Sequence, residues 1–378
     1  MQTEKETLMR NKAMWCLVAL LFVVLIHSQG QAQRPAGSLP GTFTHIPKAD
    51  IEKVQQSILK MEIPNDAPVR MVDAGRYNLG AYTLFTQPNV PRPAGPVTGF
   101  YHRDIAEIYI LVSGSGSWRV GGEVENPVEE PDDRSRREVR GPSVTGTLKG
   151  FTNQKLTAGD VLIVGPGVPH SPGDFTEPTK IIRVVIDPHK VMPVFPSAAG
   201  TAARVVPVAT GKPTPTIPGA WVYIPKADID KVMKDIEQPG AYGDQAVRTI
   251  DLPTINYRVG LYVLHSPTLP KEPQTPATSG WYHTSIAEIY YFMRGAGAFM
   301  IGGTVENATP DDANSYATKM VRGPSVTGTF KGATLLKVEA GDMLIAPTGV
   351  PHTPTMTAAV PRDILRIAVD PDHVLPLK

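Results

Sequence analysis

Apolar residues recur three and four positions apart at Ile51, Val54 and Ile58, and again at Ile229, Val232 and Ile236. That spacing predicts a short amphipathic helix in each place. After each helix the pattern changes to short apolar runs bounded by turn residues. Residues 108–112 and 289–293 are apolar runs closed by Gly-x-Gly, and residues 161–164 and 343–346 are closed by Pro/Gly turns. Residues 181–186 and 364–369 lead into Asp-Pro. Short strands between frequent turns predict a barrel or sandwich, and hence an all-β fold with one helix before each strand-rich region.

The two halves repeat each other. Residues 99–127 (GFYHRDIAEIYILVSGSGSWRVGGEVENP) return as residues 280–308 (GWYHTSIAEIYYFMRGAGAFMIGGTVENA). IPKADI occurs at 46–51 and 224–229, RGPSVTGT at 140–147 and 322–329, and GVPH at 167–170 and 349–352. The offset is 181 residues at His102/His283 and 182 at His170/His352. A period that long marks duplication of a whole domain, because solenoid repeats are far shorter. Residues 193–219 are rich in Pro, Ala, Thr and Gly and read as a semi-extended linker. The expected organisation is an N-terminal domain at 33–192, the linker, and a C-terminal domain at 220–378.

Composition narrows the chemistry. Thirty-seven basic residues face 36 acidic ones, so no nucleic-acid partner is implied. Lys5, Arg10 and Lys12 precede an 11-residue apolar core at 16–26, followed by Gly30-Gln31-Ala32. This pattern predicts a cleaved signal peptide over residues 1–32, and so a periplasmic or secreted protein with no membrane segment in its mature form. An uncleaved anchor is the other reading, but the run is short for a span. Cys16 is the only cysteine and lies inside the signal. The mature chain therefore has no disulfide or thiolate, and any metal must be held by His, Asp and Glu.

Four of the nine histidines occupy matching places: His102 and His283, then His170 and His352. Glu107 and Glu288 follow the first of each pair by five residues. On one continuous strand, positions five apart face opposite sides. His102 and Glu107 therefore converge only if residues 103–106 turn the chain back. Two imidazoles and one carboxylate would then form a facial set with open positions, suited to one Fe, Mn, Zn, Ni or Cu ion per repeat.

These residues resemble the two motifs of the cupin superfamily. Gly99, His102, Glu107 and Gly114 match the first, as do Gly280, His283, Glu288 and Gly295. Gly159, Asp160, Gly167 and His170 match the second, as do Gly341, Asp342, Pro347, Gly349 and His352. The resemblance covers nearly all of the chain after the signal. It implies a bicupin, two tandem jelly-roll barrels with one potential metal each. The chain departs from the pattern where Phe100 and Trp281 replace the first His of the His-x-His pair, and where Gly165 replaces the Pro kept as Pro347. A relic barrel with hydrogen-bonded core histidines is the competing reading.

Other matched residues carry two readings each. Phe100 and Trp281 wall a substrate pocket or fill the barrel. Tyr109 and Tyr290, two residues after the ligand Glu, act as general acids or sit as satisfied core phenols. Arg183 and Arg366 point inward as clamps for a substrate carboxylate, or outward into solvent; the rarity of buried charge favours outward. The charged stretch 129–140 reads as a solvated insertion, and the RGPSVTG identity has no assigned role. The resemblance implies a metal-dependent enzyme on a small molecule, with dioxygenase-like chemistry ahead of isomerase, lyase or decarboxylase chemistry. A non-catalytic ligand-binding bicupin is the second class. Oligomeric state is open, a homodimer included.

Overall fold

A computed structural model describes residues 43–60, 65–88, 95–195, 220–266, 277–355 and 361–378. The signal segment and residues 196–219 of the linker lie outside the described residues. The fold is all-β, as expected, and consists of two tandem double-sheeted barrels: four six-stranded antiparallel sheets, two in each half. In the N-terminal half, one sheet runs in the order Trp221–Ile224, Val161–Val164, Ala106–Ser113, Thr179–Asp187, Asn78–Thr86, Asp66–Asp73. Its facing sheet runs Glu123–Glu129, Ser143–Lys149, Thr98–His102, His170–Phe175, Ser115–Val120, Thr152–Thr157. The C-terminal half repeats both orders, with Ala287–Arg294 and Arg362–Asp370 central in one sheet and Ser279–His283 and His352–Thr355 central in the other. The expected helices are present at Lys48–Leu59 and Lys226–Ile236.

The continuous apolar runs follow from burial on both faces. In Ala106–Ser113, Tyr109 and Leu111 point between the two sheets of their own barrel, against Trp118, Val120 and Leu156. Ile108 and Ile110 point the other way, into a core shared with Ile289, Ile345 and Ile367 of the second half. A strand covered on both sides loses the polar alternation of a half-exposed one.

The halves also exchange strands. Trp221–Ile224, which opens the C-terminal half, pairs with Val161–Val164 of the first barrel. Thr44–Ile46, at the start of the N-terminal half, pairs with Met343–Ala346 of the second. The Gly-Asp turns secure each crossing. Asp160 accepts the Lys226 amide at 2.8 Å and the Tyr223 hydroxyl at 3.1 Å. Asp342 accepts the Lys48 amide at 2.8 Å. Each of these carboxylates thus satisfies an unpaired N–H at the first turn of a helix from the opposite half.

Candidate metal centres

The sheet geometry brings the matched residues together. The strand Thr98–His102 ends in a three-residue turn, and the chain re-enters the facing sheet at Ala106. The turn is held by the Arg103 amide, which donates to the Pro142 carbonyl at 2.9 Å, and by the Gly167 amide, which donates to the His102 carbonyl at 2.7 Å. His102 and His170 therefore project from one sheet and Glu107 from the other, into the barrel interior. All three are buried, and their ligand atoms lie within 4.8 Å of one another; His283, Glu288 and His352 do the same. Nε2 of His102 and of His170 stand 3.2 and 3.1 Å from Glu107 Oε2. The corresponding distances to Glu288 Oε2 are 3.1 Å from His283 and 3.0 Å from His352.

The other ring nitrogens set the tautomers. His170 Nδ1 lies 2.9 Å from the Val168 carbonyl, and His352 Nδ1 lies 2.9 Å from the Val350 carbonyl. A carbonyl only accepts, so these nitrogens carry the hydrogen. His102 Nδ1 lies 2.8 Å from Ser143 Oγ, whose own hydrogen goes to the Gly141 or Arg140 carbonyl. Ser325 serves His283 in the same way, at 2.8 Å, while donating to the Gly323 carbonyl. Burial pushes His102 and His283 below their ordinary pKa against the pull of Glu107 and Glu288, which keeps the rings neutral. In each barrel two Nε2 atoms then converge on one carboxylate oxygen, and where Nδ1 holds the ring's one hydrogen each Nε2 presents a lone pair. Buried lone pairs meeting without a hydrogen between them repel, and a divalent cation is the partner that resolves the arrangement. The residues present fit a metal of the expected class.

The carboxylates are ionised and anchored. Burial opposes ionisation of Glu107, yet its pKa is held well below the usual carboxylate range, with the Arg183 guanidinium as the permanent cation beside it; Arg366 stands in the same way beside Glu288. The phenol of Tyr109 donates to Glu107 Oε2 at 2.6 Å, and that of Tyr290 donates to Glu288 Oε2. Burial and the adjacent carboxylate keep both tyrosines protonated.

The preference for outward arginines is overturned. Arg183 and Arg366 are each about 1% exposed. Each donates from one nitrogen to the ligand glutamate and from the other to a second acid, Asp66 at 3.0 Å or Asp244 at 3.1 Å. Each also stacks on a tyrosine ring, Tyr82 or Tyr262. Burial raises the carboxyls of Asp66 and Asp244 to about 6 despite these arginines. With both terminal nitrogens engaged, the arginines hold the ligand carboxylate in place, and the clamp reading for substrate fails for this pair. They face inward because the two acids compensate the buried charge.

The charged stretch 129–140 is not simply solvated either. Arg136 and Val139 are buried, the Val139 carbonyl accepts from Arg183 at 3.1 Å, and the Glu138 carbonyl accepts from Tyr82 at 3.0 Å. Neighbouring RGPSVTG now has a role as well. Its serine orients the first histidine. Its first glycine adopts φ of 62° in one half and 64° in the other. A Cβ on its second glycine would meet a backbone carbonyl oxygen at 2.4 Å at Gly146 and 2.5 Å at Gly328. Arg140 stacks over Phe100 and Arg322 over Trp281, at 4.4 and 4.5 Å. Ser143, Ser325, Arg140 and Arg322 were missed as site residues; the retained identity of the segment was the signal. Ser143→Ala and Ser325→Ala are each expected to weaken metal affinity about 10- to 100-fold with the fold intact, read by competition with a metallochromic chelator.

The two centres differ in their walls. The Phe100 ring lies 4.6 Å from that of His170, and Trp118 lies 4.6 Å from Tyr109. In the C-terminal barrel Trp281 stands 6.1 Å from His352, and the smaller Phe299 replaces Trp118 at 5.1 Å from Tyr290. A cavity of about 210 Å³ opens there, reaching Glu288 and Tyr290 and walled by Trp281, Arg322, Pro354 and Arg362. A cavity of about 90 Å³ near the N-terminal barrel ends at Asp66, Val139 and Arg140, without lining by Glu107 or Tyr109.

No family model and no curated protein matches the chain. Among solved structures, it is similar to a salicylate 1,2-dioxygenase from Pseudaminobacter salicylatoxidans, with 13% identity over 94% of this chain and 93% of that one, at a TM-score of 0.47. It is also similar to an oxalate decarboxylase from Lactobacillus farciminis, with 13% identity over 79% of each chain, at a TM-score of 0.40.

Proposed function

We propose that this chain is an exported metal-dependent enzyme that acts on a small organic molecule in its C-terminal barrel, by dioxygenase-like chemistry. The observation that carries the reading is the pair of buried imidazoles, each anchored through Nδ1, whose Nε2 atoms converge on one ionised carboxylate. Three protein ligands leave positions open for substrate or dioxygen. A transition metal bound there supplies Lewis-acid or redox chemistry. The protein's own residues do the rest. Trp281 offers a flat wall to a bound molecule. Tyr290 holds a proton on its phenol oxygen at the cavity floor, shared with Glu288, where it can be given to a substrate oxygen. Arg366 and Asp244 keep Glu288 from swinging out of the ligand set.

The tighter N-terminal centre favours a second role, a structural metal that stiffens its barrel. No helix among the described residues is long and apolar enough to cross a membrane. Export itself rests on the signal pattern, and N-terminal sequencing of the recovered protein is expected to begin after Ala32.

The test combines metal content with turnover. Elemental analysis of the purified mature protein is expected to return about two transition-metal ions per chain, one for each ligand set. Oxygen uptake is then measured with catechols, diketones and small hydroxylated aromatic acids. Uptake with at least one class supports the dioxygenase reading. Conversion without oxygen uptake moves the assignment to isomerase, lyase or decarboxylase chemistry. Absence of metal, even after reconstitution, would overturn the enzyme reading and leave a binding protein.

A further inference from the structure

We infer that the C-terminal cavity selects an anion, a small organic carboxylate, and seats it on Arg362. The inference rests on the C-terminal barrel being the substrate site, and names the class of molecule that site takes. Arg362 is only about 7% exposed and lines the same cavity as Glu288 and Tyr290. It stands four residues before Arg366 on the strand Arg362–Asp370, and so on the same inward face. Yet the two arginines are treated differently. Arg366 has two acids, while among the described residues Arg362 has no acidic partner. Among the described residues its side chain makes one hydrogen bond, a long one, from a terminal nitrogen to the Thr355 carbonyl at 3.4 Å; its Nε, like that of Arg366, is buried without a partner. Burial accordingly pushes its pKa down, with no carboxylate to oppose the shift.

A guanidinium has five donors in a planar fork, and leaving a buried one unmet, with no carboxylate beside the charge, is costly unless a ligand meets it. A carboxylate matches that fork in a bidentate way. The local structure makes room for the charge: Gly297 lies beside it, and a Cβ there would sit 3.0 Å from the Arg362 guanidinium. The N-terminal barrel lacks the feature. Its matching position is Thr179, whose hydroxyl donates to the Glu177 or the Ser115 carbonyl. A cavity of about 210 Å³ lies below the roughly 300–1,000 Å³ common for drug-sized ligands. It therefore suits a short-chain or single-ring acid, with the ring against Trp281.

The experiment is calorimetric titration of the full mature protein with acetate, oxalate and benzoate, each against its neutral amide. Metal content is measured on the same samples. At least one acid is expected to bind saturably and more tightly than its amide. Arg362→Met is expected to weaken that acid about 10- to 100-fold, the worth of a charge-assisted hydrogen-bond pair, while Arg362→Lys retains part of it. The melting temperature of Arg362→Met is expected to hold or rise, because an unpaired buried charge has been removed; a merely structural arginine would lower it. Metal in place with no acid bound, or with equal binding by wild type and Arg362→Met, would overturn this inference alone. Acid binding that depends on Arg362 in a protein holding no metal would overturn the metal reading and leave this one standing.

Discussion

Replacing His352 by Ala is expected to lower metal content from about two ions per chain to about one and to abolish turnover. The imidazole is one of three protein ligands, and its Nε2 stands 3.0 Å from Glu288 Oε2. With two ligands left, neither geometry nor charge holds a divalent ion against water. Loss of the ion removes several kcal/mol of stabilisation at the reacting centre, so activity falls about a thousandfold or more. Glu288→Gln is expected to act alike, since an amide oxygen keeps the shape of the carboxylate but loses its charge; Arg366 retains Asp244 as a partner, so the fold survives. His170→Ala makes the decisive contrast. It is expected to remove the other ion and lower the melting temperature while leaving turnover within a few-fold. Elemental analysis, steady-state kinetics and thermal melts on the three variants check this. Turnover lost with His170→Ala and retained with His352→Ala would place the chemistry in the wrong barrel here.

A chain ending at residue 195 is expected not to fold, although it contains every ligand of the N-terminal centre. Without Trp221–Ile224, the strand Val161–Val164 loses its outer neighbour and presents an open edge. The larger loss is the shared core. Ile108, Ile110, Ile163, Ile182 and Val184 would exchange contact with the second half for contact with water. Each such side chain contributes about 1.5–3 kcal/mol when buried, against a total stability of about 5–15 kcal/mol for an ordinary domain. Losing several exceeds the whole. Circular dichroism and urea titration are the measurements, with the two halves co-expressed as a rescue arm. Cooperative unfolding of the isolated N-terminal half would show that the exchanged strand is dispensable.

Much of the site was legible because duplication wrote it twice. His102, Glu107 and His170 stand out only beside His283, Glu288 and His352, at nearly constant offset. The five-residue spacing even required the turn that the chain makes between His102 and Ala106. Arg183 was misjudged for a physical reason. Burial of a charge is rare unless it is compensated, and its partner Asp66 lies 117 residues away. Nothing along the chain joins the two. Ser143 was visible as a retained residue, but its use depended on a hydrogen bond to a histidine 41 residues earlier. Arg362 left no trace in the repeat comparison, because a difference between the halves looks like drift until the cavity is seen.

What the sequence by itself determined was local and repetitive: the helix periodicity, the strand runs, the turn residues and the residue types able to hold a metal. These follow from backbone sterics and side-chain chemistry acting over a few residues. What only the tertiary structure decided was which groups share a buried volume. Tautomers, ionised acids, paired against unpaired arginines, and an open barrel against a filled one all depend on distances between strands far apart in the chain. Electrostatic and packing energies fall off through space, not along the backbone, so they became readable only once the sheets were closed.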